Sequence, residues 1–408
     1  MDARLEKIFS ADELLKLAKD LIQIDSSTAC EARERNVAVY LLDLFNREGI
    51  ECYLQEIENG RGNVIAVIKG TRGEKGLMLN GHMDTVPASG MLEPFSALEK
   101  DGKLWGRGAS DMKSGLAAMA YTLVTLKRAN IPLKGDLVFA GVIDEEAARS
   151  TGSKHIAAYG PFTGYAIVGE ATGLVPATAH KGIDYFTITF TGKAAHSSRP
   201  ENGANAIYAA ADYVVLYRDS LAPLYSEKTH ALLGPPAVNM TLIRGGAEAN
   251  KDFLYDKVET YAGVVPDYCQ LWVDIRWIPG MTISGIQKDL EELGENIRSR
   301  NPGVSVKVEY IDLPRPAMEI DSNNPLVASL LKYSGEELGH NAECQTFPGF
   351  ADSGILYGLG GILSLVLGPG DLRQAHSVDE HIEISQISGA ARIYIQAALE
   401  LLEDKLPP

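Results

Sequence analysis

The sequence predicts an α/β domain that is interrupted by a smaller α+β domain. Strand-like apolar runs alternate with helical patterns up to residue 168 and again after residue 316, which is typical of a layered α/β domain with a largely parallel sheet. The order β-α-β-β-α-β between them is that of a ferredoxin-like unit. The 408 residues, 45% of them hydrophobic, are enough for two domains. We therefore expect the α/β domain at residues 1–181 and 313–408 and the inserted domain at residues 182–312.

The first helices and strands follow from the spacing of apolar residues. An apolar stripe predicts a helix over residues 10–26, and a similar stripe predicts a second helix at Glu31–Glu48. Short apolar runs then predict three strands, at Glu51–Leu54, Asn63–Ile68 and Gly76–Asn80. A helix rich in small residues is predicted next at Met112–Arg128, followed by a strand at Asp136–Val142. A second helix follows at Gly152–Tyr159 and a second strand at Tyr165–Val168.

The pattern changes after His180-Lys-Gly182. Asp184–Thr191 alternates between polar and apolar residues, as a strand with one solvated face does. A helix at Ala204–Arg218 and two strands at Ala237–Arg244 and Cys269–Trp277 follow. A second helix at Ser284–Ser299 and a last strand at Val304–Ile311 complete the pattern. Leu313-Pro-Arg-Pro316 is expected to be the linker back to the α/β domain. That domain resumes with two helices, a strand and a terminal helix, at Pro325–Leu338, Asp352–Tyr357, Gly361–Leu367 and Ser385–Leu402.

Composition and charge exclude several classes of protein. The formal net charge of -16 argues against nucleic acid or an anionic membrane as a partner, because both require a basic surface. No apolar span reaches membrane length, and the first residues lack the apolar segment of a signal peptide. The four cysteines have no C-x-x-C spacing, which excludes a thiolate zinc site and is typical of a reducing cytoplasm. We therefore expect a cytoplasmic protein with no membrane and no nucleic-acid partner.

Residues of the metal-ligand type follow several of the predicted strands. The carboxyl ends of the strands in an open α/β sheet form the edge at which binding sites lie, so these loops are expected to converge. A loop histidine alone is more often a bystander, and an acidic pair is more often a solvated turn. Five such loops at one edge favour a shared site instead. The residues concerned are His82, Asp84, Asp111, Glu145, Glu146, Glu170 and His376.

These residue types indicate a particular chemistry. Two histidines and several carboxylates without thiolates suit a pair of zinc or similar ions that share a bridging carboxylate. Glu145 and Glu146 are adjacent just beyond a strand end. One of the two can therefore bind a metal while its neighbour acts as a base on water.

Six segments, in chain order, resemble a known family. The chain is similar to the dinuclear zinc peptidases and deacylases, which include acetylornithine deacetylase, succinyl-diaminopimelate desuccinylase, aminoacylase and glutamate carboxypeptidase. The resemblance covers nearly the whole chain and implies a zinc-exopeptidase-like α/β/α catalytic domain with an inserted ferredoxin-like lid and dimerisation domain. The matching segments are Gly81-His-Met-Asp-Thr-Val-Pro87, Gly106-Arg-Gly-Ala-Ser-Asp-Met-Lys113, Asp144-Glu-Glu146, Gly169-Glu-Ala-Thr172, Gly192-Lys-Ala-Ala-His-Ser-Ser198 and Gly368-Pro-Gly370 with Ala375-His376.

The resemblance implies two Zn²⁺ ions per subunit, with Co²⁺ or Mn²⁺ as possible substitutes. His82, Asp111 and Glu170 would bind one ion. Asp111, Glu146 and His376 would bind the other, so that Asp111 bridges the two.

The resemblance assigns two further roles around these ligands. Asp84 would orient His82, and Glu145 would be the general base that later protonates the leaving amine. The family also implies a cis peptide bond between Asp111 and Met112.

Three residues of the inserted domain complete the implied site of a homodimer that forms through this domain. His196 would reach the partner subunit's site and stabilise the oxyanion, and Arg276 would hold a substrate carboxylate. Asn250 matches a residue that reaches the partner's site, but Lys251–Val264 departs from the family pattern as an insertion beside it. From the residues alone, an ordinary loop histidine is the favoured interpretation of His196, and a surface ion pair is the alternative for Arg276.

The expected function is therefore that of a metal-dependent amidohydrolase. Its substrate would be an N-acyl-amino acid or a related small amide with a free carboxylate, as for a deacetylase or desuccinylase. A carboxypeptidase or a di- or aminopeptidase on short peptides is the alternative within the enzymes. A non-catalytic metal-binding protein is the alternative outside them.

Overall fold

The computed structural model describes residues 3–247 and 263–403. The chain divides into two compact units, Met1–His180 with Met318–Pro408 and Lys181–Ala317. The predicted fold class, an α/β domain with an α+β insertion, is confirmed. The second unit ends later than the predicted residue 312, because its last strand runs through most of the expected linker. A register shift between Ile311 and Arg315 accommodates Pro314, which has no N–H to donate to a ladder.

The first unit is built on a nine-stranded sheet in the order β1-β2-β6-β3-β7-β15-β8-β13, with β14 paired to β8. Its strands are β1 (Glu51–Glu58), β2 (Arg61–Ile68), β3 (Glu74–His82), β6 (Gly135–Val142), β7 (Tyr165–Val168), β8 (Ala177–His180), β13 (Met318–Glu319), β14 (Gln345–Thr346) and β15 (Leu363–Val366). Strands β6, β3, β7 and β15 are parallel, whereas β1, β2 and β13 pair antiparallel with their neighbours. The sheet is therefore mixed, with its parallel part in the middle.

Helices cover this sheet. They are α1 (Ala3–Ile8), α2 (Ala11–Ile22), α3 (Arg35–Arg47), α4 (Ser114–Ala129), α5 (Thr151–Tyr159), α9 (Pro325–Leu338), α10 (Ser353–Gly358) and α11 (Ile384–Leu402). Helix α4 is buried along nearly its whole length, as its small residues predict. A Cβ at Gly115 would lie 2.4 Å from the carbonyl oxygen of Gly169, so glycine allows the helix to approach the end of β7.

A small second sheet in this unit joins segments that are distant in sequence. Its strands are β4 (Leu98–Lys100), β5 (Lys103–Trp105) and β16 (His381–Glu383), in the order β16-β5-β4. Three-residue strands carry too little periodicity to be found from sequence. Their pairing places residues 376–383 beside residues 106–111 and so shapes the site described below.

The second unit has a four-stranded antiparallel sheet in the order β10-β11-β9-β12. Its strands are β9 (Gly182–Thr191), β10 (Ala237–Gly246), β11 (Tyr268–Trp277) and β12 (Ser305–Arg315), and its helices are α6 (Ala206–Leu216), α7 (Ala222–Glu227) and α8 (Ile283–Arg300). The core of this unit includes Phe186, Ile188 and Phe190 of β9, all fully buried. None of the helices in the described ranges is long and apolar enough to cross a membrane.

Candidate metal and active site

The site lies at the carboxyl ends of the parallel strands of the first unit. His82 is the last residue of β3, Glu146 lies in the turn that follows β6, and Glu170 comes two residues after β7. Asp111 lies in the turn 109–113 that precedes α4, and His376 lies in the loop after β15. The apolar strands are buried on both faces, so the polar side chains at their ends point towards one edge of the sheet.

The side chains meet around the carboxylate of Asp111. The Nε2 atom of His82 lies 3.0 Å from Asp111 Oδ1 and 3.5 Å from Glu170 Oε1. On the other side, the Nε2 atom of His376 lies 3.4 Å from Asp111 Oδ2 and 3.0 Å from Glu146 Oε2. The two oxygens of one carboxylate therefore face two separate imidazole–glutamate pairs.

The electrostatics of this cluster fit a metal site. Burial and the Asp111 charge raise the pKa of Glu170 well above its usual range. Hydrogen bonds with Asp111 and Glu146 raise the pKa of His376 to about 10. The Oε1 atom of Glu146 is buried and has no hydrogen-bond partner among the described residues. The cluster thus gathers buried negative charge that needs cationic partners, and its oxygen and imidazole donors suit divalent transition metals.

Within the described part of the chain, three ligand atoms from His82, Asp111 and Glu146 lie within 4.8 Å of one another, and no second group does so. Glu170 and His376 contact this group directly. These five residues are the ones that the sequence predicts as ligands, and their imidazole and carboxylate groups lie close enough together to hold metal ions.

Asp84 holds both a ligand and the neighbouring turn. The Nδ1 atom of His82 bonds the backbone carbonyl of Asp84 at 2.9 Å, whereas the Asp84 carboxylate lies 3.7 Å away. That carboxylate accepts hydrogen bonds from the backbone N–H groups of Glu145, at 3.2 Å, and Glu146, at 2.9 Å. The carbonyl therefore orients His82 so that Nε2 faces Asp111 and Glu170, and the carboxylate fixes the turn after β6.

Glu145 lies beside the ligands in a strongly charged setting. Burial, with the charges of Asp352 and Glu146, raises the pKa of Glu145 well above its usual range despite the nearby His82. Asp352 is itself buried and accepts a hydrogen bond from the Ser153 hydroxyl at 2.7 Å. A carboxylate with a raised pKa can both accept and return a proton near neutral pH.

Glu380 is a buried acid beside this site that the sequence analysis missed. Its buried carboxylate accepts hydrogen bonds from the backbone N–H groups of Gly108, Ser110 and Asp111, at 3.1, 2.9 and 3.1 Å. It also accepts one from the buried guanidinium of Arg107 at 2.6 Å. The pairing of β16 with β5 brings these segments together, and no local sequence signal reports that pairing. The turn held in this way contains the Asp111–Met112 peptide bond, which is cis as the resemblance implies.

The remaining predicted residues belong to the second unit. His196 is exposed after β9, and its Nδ1 atom lies 2.7 Å from the Ser198 hydroxyl. Arg276, in β11, donates to both carboxylate oxygens of Asp274, at 2.8 and 3.0 Å. Asn250 lies outside the described residues, as does most of Lys251–Val264. The roles of these three residues stay predictions.

Comparisons with known proteins identify the family of the chain. An acetylornithine deacetylase of Proteus mirabilis is 31% identical over 386 residues, which cover 91% of this chain and 92% of that protein. The crystal structure of aminopeptidase PepT from Bacillus cereus has a TM-score of 0.75 at 22% identity and covers 97% of this chain and 99% of that one. A dinuclear metal-binding M20 peptidase of Bacillus subtilis has a TM-score of 0.71 at 16% identity, covering 96% and 98%. Residues 78–400 match the profile of peptidase family M20/M25/M40, and the chain therefore belongs to that family.

Proposed function

We propose that this protein is a metal-dependent amidohydrolase that cleaves the amide bond of an N-acyl-amino acid or a related small amide with a free carboxylate. The observation that carries the proposal is the meeting of two histidines and three carboxylates with Glu145 left beside them. Acetylornithine deacetylase relatives of about 30% identity over most of their length support a deacylase.

The donor set suits two divalent ions. His82, Asp111 and Glu170 would hold one, and Asp111, Glu146 and His376 the other, with Asp111 shared. The imidazole nitrogens and carboxylate oxygens of this set suit zinc, with cobalt or manganese as substitutes, and the unpartnered Oε1 atom of Glu146 is available to an ion. Such ions, when bound, polarise the substrate carbonyl and lower the pKa of an attacking water.

Residues of the chain itself would handle the protons and hold the substrate. Glu145 would take the proton of the attacking water and give it to the leaving amine. Asp84 would keep the Glu145 backbone and the His82 ring in place through the hydrogen bonds described above. Arg276 would bind the substrate carboxylate, for which its planar fork is suited.

The assembly proposed with this function is a cytoplasmic homodimer that forms through the second unit. His196 would then donate a hydrogen bond to the developing oxyanion in the partner's site. The four cysteines, none of which forms a disulfide, support a reducing compartment.

A carboxypeptidase or an aminopeptidase on short peptides is the second candidate. The fold that the chain shares with an aminopeptidase of Bacillus cereus supports this alternative, because the same site would hydrolyse the amide bond of a short peptide.

One panel of substrates tests the proposal. The zinc-loaded and cobalt-loaded proteins are assayed with N-acetyl-, N-succinyl- and aromatic-acyl-amino acids and with dipeptides. We expect turnover of at least one acyl-amino acid that exceeds turnover of every dipeptide. The reverse ranking would establish the peptidase, and no turnover of any compound by a fully loaded protein would leave a non-catalytic metal-binding protein.

A further inference from the structure

The turn Asp144-Glu145-Glu146 carries the proposed base and a proposed metal ligand, and it is held from two sides. Asp84 holds the backbone of Glu145 and Glu146 on the side of the metal site. The first residue of the turn, Asp144, has a positive φ of 63°, a conformation that residues other than glycine seldom adopt. This conformation persists only where surrounding contacts enforce it, so the contacts of Asp144 decide where the turn lies.

Charged side chains from outside the proposed ligand set supply those contacts. Arg61, the first residue of β2, donates from Nη2 to Asp144 Oδ1 at 2.5 Å. Arg33 donates to the same oxygen at 3.3 Å, and the Thr151 hydroxyl donates to Oδ2 at 2.8 Å. Both oxygens of the Asp144 carboxylate thus accept hydrogen bonds, and none of these three donors is a proposed metal ligand.

Glu34 completes the arrangement. Its carboxylate accepts two hydrogen bonds from Arg61, at Nε and Nη2, both 2.9 Å long. It also accepts the backbone N–H of Asp144 at 3.2 Å. Arg61 and Glu34 therefore hold both the side chain and the backbone of the residue that precedes Glu145.

Burial makes this contact strong and makes its loss costly. The side chains of Glu34 and Asp144 are each 1% exposed, and that of Arg61 is 10% exposed. Without Arg61, Glu34 would lose the two hydrogen bonds that Arg61 donates and would keep the one from the Asp144 backbone N–H. The buried carboxylates of Glu34 and Asp144 would then lie close together without the guanidinium group that now contacts both. A buried charge that loses its partner drives the surrounding chain to rearrange.

We infer that Arg61 is a positioning residue that acts through Asp144 to set the location of Glu145 and Glu146, and that Glu34 orients Arg61. The inference rests on the proposed function. Glu146 is proposed to serve one of the two metal ions, whereas the other ion has its ligands on β3, the turn 109–113 and the loop after β7. Loss of Arg61 should therefore lower the binding affinity of one ion and leave that of the other unchanged.

The test compares three variants of the full-length protein, Arg61→Met, Arg61→Lys and Arg128→Met. Arg128 is the matched control, because it also joins two acids in the first unit: it donates to both oxygens of Glu48, at 2.9 and 2.8 Å, and to Glu13 at 2.6 Å. Co²⁺ titrations, followed by the visible spectrum and by metal analysis, report the number and affinity of bound ions. Initial rates give kcat and KM.

We expect Arg61→Met to keep one ion with wild-type affinity and to bind the second about 10–100-fold more weakly, with a similar loss in kcat and little change in KM. Arg61→Lys should recover part of the loss, since an ammonium can reach Asp144 but cannot form the two-pronged contact with Glu34. Arg128→Met should match the wild type in both measurements. Glu34→Gln, which keeps the size of the side chain, should show the same selective effect if Arg61→Met does not fold.

Equal weakening of both ions, or two ions bound with wild-type affinity and a kcat equal to that of Arg128→Met, would overturn the inference. A wild-type protein that binds fewer than two ions would overturn it as well. A wild type that binds two ions and hydrolyses no amide would overturn the proposed function alone, because the ion count still reports on Arg61.

Discussion

Glu380 accepts a hydrogen bond from the backbone N–H of Asp111 at 3.1 Å, although the two residues are 269 positions apart in the chain. The same carboxylate accepts the N–H groups of Gly108 and Ser110. It thereby fixes the backbone on which the shared carboxylate of the metal site is carried. An acid outside the proposed ligand set thus holds the backbone of the proposed bridging ligand.

Replacement of the Glu380 carboxylate is expected to lower the binding affinity of both metal ions. Glu380→Gln keeps the shape but turns an amide N–H₂ towards backbone donors, so the affinity of both ions should fall about 10–100-fold. Isothermal titration calorimetry with Zn²⁺ measures these affinities. Glu383→Gln, three residues further along at the end of β16, is the control, because Glu383 is half-exposed and pairs only loosely with Lys103, at 3.4 Å. Wild-type affinity in Glu380→Gln would contradict the role given to this residue.

Loss of the proposed base, Glu145, is expected to lower turnover without loss of bound metal. Glu145→Gln should lower kcat by about 10²–10⁴-fold, the usual contribution of a positioned general base. The zinc content should stay at the wild-type value, since Glu145 is not among the proposed ligands. Metal analysis and steady-state kinetics on the same sample check both points. Near-normal turnover in a fully loaded variant would remove Glu145 from this role.

Metal removal is expected to destabilise the first unit. The ligand cluster concentrates buried acids, and bound ions stabilise only the folded state. At a free metal concentration of 100 times Kd, one bound ion adds about 2.7 kcal/mol to the free energy of unfolding. Thermal unfolding with EDTA, and again after Zn²⁺ is restored, measures the shift in Tm. Identical Tm values in both conditions would show that these residues bind no metal.

The proposed contribution of His196 across a dimer can be measured with mixed subunits. His196→Ala should lower kcat by the equivalent of about 2.7–4 kcal/mol, which is typical for loss of an oxyanion donor. His230→Ala, which changes another histidine of the same unit, should not. If His196 acts in the partner's site, a dimer of one His196→Ala and one Glu145→Gln subunit contains one intact site. If this mixed dimer recovers no activity, His196 does not act in the partner's site.

Arg276 is expected to recognise the substrate carboxylate. Asp274 already holds its Nε and Nη2 atoms, so Arg276→Met should remove a pre-oriented cation. A hydrogen bond to a charged group contributes about 1.5–3 kcal/mol, so kcat/KM should fall by about one to two orders of magnitude. The matched amino-acid amide, which lacks the carboxylate, should be hydrolysed equally well by both proteins. An equal loss on both compounds would contradict carboxylate recognition.

Sequence reasoning predicted the fold class and the residues that meet at the metal site, and the reason is local. Strands buried on both faces are continuous apolar runs, and ligands must follow them at one edge of the sheet. His82 and Glu170 are found by that rule alone. The extent of the mixed sheet was less accessible, since strands such as β13 and β14 have two residues each.

The amino-acid sequence by itself determined that this is an α/β protein with an α+β insertion and which side chains gather around Asp111. Only the tertiary structure decided how those side chains are held. Glu380 reaches the Asp111 turn through the β16–β5 pairing, and Arg61 reaches Asp144 from the start of β2. Such contacts depend on which distant segments become neighbours, and hydrogen bonds between distant segments leave no periodicity in the chain from which they could be read.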